Sequence, residues 1–146
     1  MIELEFFGAA QAVTGSHHIL RLGEQAWALD AGLRQGPRSH ARDMNKRFPV
    51  SPPALDGVIL SHAHIDHSGN LPTLVKNSFQ GAIYATPATR DLCSVMLPDS
   101  AHIQEEDARY WNEKRARTRS EQIEPLYDLD DARKTMRYFR TVDYRQ

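Results

Sequence analysis

The chain has 146 residues, an apolar fraction of 40%, a charged fraction of 25% and a formal net charge of −1. That suits one globular domain with a sizeable core and excludes a broadly basic nucleic-acid-binding field. No run approaches the ~18 apolar residues of a membrane span, Met1-Ile2-Glu3-Leu4-Glu5 lacks the regions of a signal peptide, and the single cysteine, Cys93, excludes an internal disulfide framework. The expected location is the cytoplasm, with no membrane partner.

Ile2, Leu4 and Phe6 alternate with Glu3 and Glu5, the pattern of a half-buried strand. A small-residue loop, Gly8 to Ser16, follows. His18 to Leu22 and Gln25 to Leu29 read as two strands joined at Gly23-Glu24 in a tight hairpin. Asp30-Ala31-Gly32 ends the second. Arg38 to Phe48 is a weakly marked helix, and Pro49, Pro52 and Pro53 form an extended connector. Val58 to Leu60 is a short buried strand. Gly69 to Asn77 reads as a helix capped by Ser68.

Ala82 to Ala85 is the next strand. Thr86 caps a helix with Pro87 at its first position. That helix runs from Ala88 to Leu97, where Pro98 should kink or break it, and a second stretch covers Ala101 to Arg117. Asp128, with Asp131 three residues on, opens a last helix to Phe139, and Thr141 to Tyr144 starts another strand. Strands come first and then alternate with helices, which predicts a mixed sheet with helices packed on it. Residues 1–98 carry 8 acidic and 8 basic side chains, and residues 99–146 carry 11 and 10 in half the length. The second part is therefore a solvated helical region rather than a basic arm.

The chemistry concentrates in six residues: His62, Ala63, His64, Ile65, Asp66 and His67. Imidazole nitrogen and carboxylate oxygen are both zinc donors. In an extended loop His62 and His64 lean to one side and hold one ion, while Asp66 and His67 reach a second as the chain turns into the helix. Two ions ~3.5–4 Å apart activate water at neutral pH and stabilise both oxygens of a phosphodiester displacement. The competing reading is a histidine-rich surface loop without an ion. A strand end followed by a capped helix favours the metal.

The segment resembles the signature metal motif of the metallo-β-lactamase superfamily. Phe7-Gly8-Ala9-Ala10 with Val13-Thr14-Gly15-Ser16, Leu29-Asp30-Ala31-Gly32 with Gln35-Gly36, and Ser61 through Pro72 are similar to the β-CASP branch. Tyr84 to Thr89 and Asp99 to Asp107 resemble its bacterial and archaeal members. The resemblance implies an α/β fold: the N-terminal part of an αββα sandwich, a mixed sheet with flanking helices. It implies two Zn2+ ions and RNA as the substrate of a hydrolase. His62 and His64 would hold one ion and Asp66 and His67 the other, with Asp66 catalytic and Asp30 orienting the ligand loop. His17 and His18, after the glycine loop, are candidates for substrate contact, set against a strand-start pair with one ring in and one out.

The family pattern also needs a further His, a bridging Asp and a cap domain. His102 is the only histidine after His67 and stands in the wrong context. The chain is therefore expected to be the N-terminal portion of a larger nuclease domain, with incomplete metal binding and little activity by itself. Two rivals are a superfamily hydrolase acting on a small ester or thioester, and a non-catalytic folding or dimerisation fragment whose exposed sheet edge pairs with a second copy. Cys93 reads as a buried structural thiol. Tyr110 and Trp111 read as packing residues rather than a base-stacking platform. Lys114 to Arg119 is either a nucleic-acid contact or a solvated face.

Overall fold

The computed structural model describes residues 1–115 and 122–144. Six strands form one sheet in chain order: β1 (Ile2–Phe6), β2 (His18–Leu22), β3 (Gln25–Leu29), β4 (Gly57–Ile59), β5 (Ala82–Ala85) and β6 (Phe139–Thr141). β1, β2 and β3 pair antiparallel, and β3 to β6 pair parallel. The switch has a local cause. Gly23, with φ of 65°, lets β2 return at once as β3, whereas each later strand is reached through a helical crossover, which parallel pairing requires. The helices are α1 (Arg38–Asn45), α2 (Ile65–Ser68), α3 (Leu71–Lys76), α4 (Pro87–Arg115) and α5 (Leu129–Thr135).

The register lines up the core. Ile19, Ala28, Val58, Ile83 and Phe139 lie side by side across β2 to β6, and all are buried. Leu71, Leu74 and Val75 of α3, Cys93, Leu97 and Ala101 of α4, and Tyr127 and Ala132 complete this layer. Burying each Ile or Leu stabilises the fold by about 1.5–3 kcal/mol. On the other face the row Phe6, His18, Leu29, Ile59, Tyr84 and Arg140 crosses all six strands. That face has no covering layer among the described residues.

The bare face corrects the first sequence expectation. β1 is not half-buried: all five of its residues are exposed, Ile2 at 76% and Phe6 at 65%. Alternation gives the strand its two faces, but burial needs a second layer. Pro98 does not break the helix either. α4 runs 29 residues through it, because buried residues on both sides, Leu97 and Ala101, hold the two halves against one core. Its anticipated end at Arg117, and the basic residues after Arg115, lie outside the described residues.

Ser68 is not an N-cap. It ends α2, and its hydroxyl donates back to the carbonyls of Ala63 (2.8 Å) and His64 (3.1 Å). Pro72, suited to a first turn, sets the start of α3 one residue earlier, at Leu71. The last helix also stops early. Asp128 and Asp131 form the expected capping box, but the chain passes through a 3-10 turn, Met136–Tyr138, and Phe139 already belongs to β6.

Candidate metal centre

The His62–His67 segment leaves the end of β4 and is gripped by the loop that leaves β3. Leu29 pairs with Ile59, so the residues that follow run alongside. Asp30 N donates to Ile59 O (3.0 Å), Ala31 N to His67 O (2.8 Å), Leu33 N to Ile65 O (2.9 Å) and Ser16 N to Asp66 O (2.8 Å). Gly32 makes this approach possible. A Cβ there would stand 1.7 Å from the Asp66 carbonyl oxygen. Asp66 and His67 stand on α2, which begins at Ile65, earlier than the anticipated helix start at Gly69.

Asp30 is the hub. It adopts a left-handed φ of 61°, uncommon outside glycine, and it is 7% exposed. Its Oδ1 accepts the Ser61 amide (2.8 Å). Its Oδ2 accepts the Ser61 hydroxyl (3.0 Å), the Ser16 hydroxyl (3.2 Å) and His67 Nδ1 (2.8 Å). A carboxylate can only accept, so His67 carries a proton on Nδ1, and in the neutral ring Nε2 keeps its lone pair.

The four donors come in two pairs. His62 Nε2 and His64 Nδ1 are 3.1 Å apart. His67 Nε2 and Asp66 Oδ2 are 3.7 Å apart. The rings of His62 and His67 lie 4.0 Å apart between centroids, so the pairs adjoin. Two donors bound ~2.0–2.1 Å from a tetrahedral zinc lie ~3.4 Å from each other. Donor type and pair spacing both fit such an ion. Among the described residues, no group of three or more His, Cys, Asp or Glu is arranged to hold one. The segment offers two half-sets, not a closed cage.

A family profile described as Beta-lactamase superfamily domain matches residues 28–124, from the end of β3 past α4. The chain belongs to the β-lactamase superfamily. Within that superfamily it is 33% identical over 138 residues to Ribonuclease TTHA0252 of Thermus thermophilus, covering 94% of this chain and 27% of that protein. It is 35% identical over 130 residues to Transcription termination factor FttA of Thermococcus kodakarensis, covering 88% of this chain and 18% of that protein. The chain thus spans about a quarter or less of the curated relatives it matches. A solved structure of human tRNase Z, short form, aligns with TM-score 0.45 and 22% identity over 70% of this chain and 40% of that one.

The superfamily chain places its other candidate residues as follows. His17 is 3% exposed, with its ring edge-on to Phe7 and Phe48. Burial, with His18 and Arg34 adding to it and Asp30 opposing, pushes its pKa down to about 4, so the ring is neutral. His18 opens β2 on the bare face, 5.2 Å edge-on from Phe6. This is the one-in, one-out arrangement. Cys93 is fully buried, and burial raises its thiol to about 11 against a weaker opposing hydrogen bond from Ser68. Tyr110 is 49% exposed and stacks edge-on with Trp111, with Lys114 Nζ 4.4 Å from its ring centre. Sequence reasoning passed over Ser61 and Ser16, the hydroxyls on Asp30. Only the parallel register of β3 with β4 in the folded chain sets Asp30 beside Ser61.

Proposed function

We propose that this chain carries one wall of a zinc-dependent phosphodiesterase site that acts on RNA, in the β-CASP manner. The observation that carries the reading is the pairing of donors: His62 Nε2 with His64 Nδ1, and His67 Nε2 with Asp66 Oδ2, side by side in adjoining rings. His62 and His64 would hold one ion, and Asp66 and His67 the other. Zinc bound there would supply Lewis acidity, drawing the pKa of water toward ~7 and polarising a phosphoryl oxygen. Asp30 keeps the His67 proton on Nδ1 and locks the ring. The amides of Ala31, Leu33 and Ser16 hold the backbone of the ligand turn at 65–67 in place.

RNA is supported by the relatives, one named a ribonuclease and the other a transcription termination factor. An RNA substrate and a single buried thiol suit a cytoplasmic protein. The coverage of 27% and 18% of those relatives supports reading the chain as the N-terminal portion of a larger domain, whose remaining ligands come from elsewhere. No helix among the described residues is long and apolar enough to cross a membrane.

The test is a side-by-side assay on labelled RNA and a chromogenic ester, with zinc and with chelator, on the polypeptide extended to the length of its relatives. Zinc-dependent cleavage of RNA, lost on H62A or D66A and without matching ester turnover, is the expected result. Ester hydrolysis with RNA untouched would replace this reading with the small-ester one.

A further inference from the structure

We infer that Ser61 is a positioning residue that fixes the tautomer of His62, leaving the Nε2 lone pair of His62 unprotonated and directed at the metal position. The inference rests on the metal-centre reading of the loop, and it concerns a proton that can be located by counting.

Ser61 Oγ has two close polar neighbours besides its own backbone, Asp30 Oδ2 at 3.0 Å and His62 Nδ1 at 3.0 Å. A third, His67 Nδ1 at 3.5 Å, already has a 2.8 Å bond to Asp30. A serine hydroxyl has one proton to give and two lone pairs to receive with. Asp30 is a carboxylate and has none to give. A hydrogen bond to an ionised acceptor is roughly twice as strong as a neutral one. The hydroxyl proton therefore goes to Asp30, and only lone pairs remain for His62. His62 must then donate from Nδ1, which strips the proton from Nε2 in the neutral ring.

The far side of the ring is compatible with this. His62 Nε2 lies 3.1 Å from His64 Nδ1. With His62 Nε2 a bare acceptor, His64 Nδ1 is the donor in the metal-free chain. Asp30 thus orders both histidines of the turn, His67 directly and His62 through the Ser61 hydroxyl. One carboxylate sets a ligand in each donor pair. An alanine at 61 keeps the backbone but removes the relay. A threonine keeps the hydroxyl.

The experiment is nitrogen-15 NMR of the His62 ring in the metal-free 146-residue chain, well above the imidazole pKa, for the native protein, S61A and S61T. It is joined by zinc affinity from competition with a chelating dye. The native chain should show Nδ1–H at His62. S61A should move the population toward Nε2–H and weaken zinc binding by about tenfold, the lower end of what loss of an outer partner costs a metal site. S61T should restore both. Nε2–H at His62 in the native chain would overturn the inference, as would an unchanged tautomer in S61A or failure of S61T to rescue. The tautomer is read without metal or RNA. Nδ1–H at His62 together with no RNA cleavage by the polypeptide extended to the length of its relatives would end the ribonuclease reading and leave this one standing.

Discussion

Asp30 does at the scale of one residue what the rest of the loop depends on. Its two oxygens take four hydrogen bonds, from the Ser61 amide, the Ser61 and Ser16 hydroxyls and His67 Nδ1. D30A leaves those donors without their acceptor in a largely buried spot, and each buried unsatisfied group costs ~1–3 kcal/mol. We expect D30A to lower the urea unfolding free energy by about 3 kcal/mol and zinc affinity by 10–100-fold. D30N, which keeps the shape and some acceptor capacity, should lose less of both. His17 gives a second prediction at this scale. Its folded pKa of about 4 lies below the ordinary 6.5, so the unfolded chain takes up a proton more readily between those values. The neutral ring's contribution is present above pH 6.5 and is lost as pH falls toward 4, amounting to ~3 kcal/mol. H17F should flatten the stability profile across that window in denaturant titrations at several pH values. An unchanged profile would mean that another group drives acid unfolding.

At the scale of elements, the grip of the β3 loop on α2 is the joint that positions the donors. G32A would drive a methyl group into the Asp66 carbonyl, with 1.7 Å between them. The backbone must part, and the bonds from Ala31 and Leu33 to His67 and Ile65 go with it. The expected result is a loss of several kcal/mol in stability together with loss of zinc uptake. Pro98 tests a different joint. Proline in a helix interior costs ~3 kcal/mol, and tertiary contacts from Cys93, Leu97 and Ala101 keep α4 continuous across it. P98A should therefore raise the melting temperature by a few degrees.

What was legible at this scale was local. The Gly23-Glu24 hairpin, the Thr86-Pro87 helix start and the Asp128–Asp131 capping box each depend on residues within four of one another, and each stands where the sequence placed it. The four donors of the loop were legible by type. What was not legible was that α2 begins inside the motif, at Ile65, so that Asp66 and His67 already stand on a helix. Ser61 escaped notice because its partner is 31 residues away and becomes a neighbour only through the β3–β4 register. Ser68 misled because a serine before an apolar run reads as a cap, while here its hydroxyl bonds backward.

At the scale of the whole molecule, one sheet face is covered by helices and the other is not. Ile2, Leu4, Phe6, Leu22, Ile59 and Val142 are exposed on or beside that second face. Contiguous apolar patches of this kind mark contact surfaces or association hazards. The 146-residue chain should therefore associate as its concentration rises in sedimentation runs, and F6E with I59E should suppress this.

We propose the His62–His67 turn as a metal-binding wall rather than a histidine-rich loop. The most direct measurement is a zinc titration of the chain by calorimetry, repeated with H62A and H64A combined, with D66A and H67A combined, and with all four combined. Zinc uptake by the native chain is expected to weaken when either pair is removed and to disappear when both are. No uptake by the native chain, or uptake indifferent to all four substitutions, would contradict it.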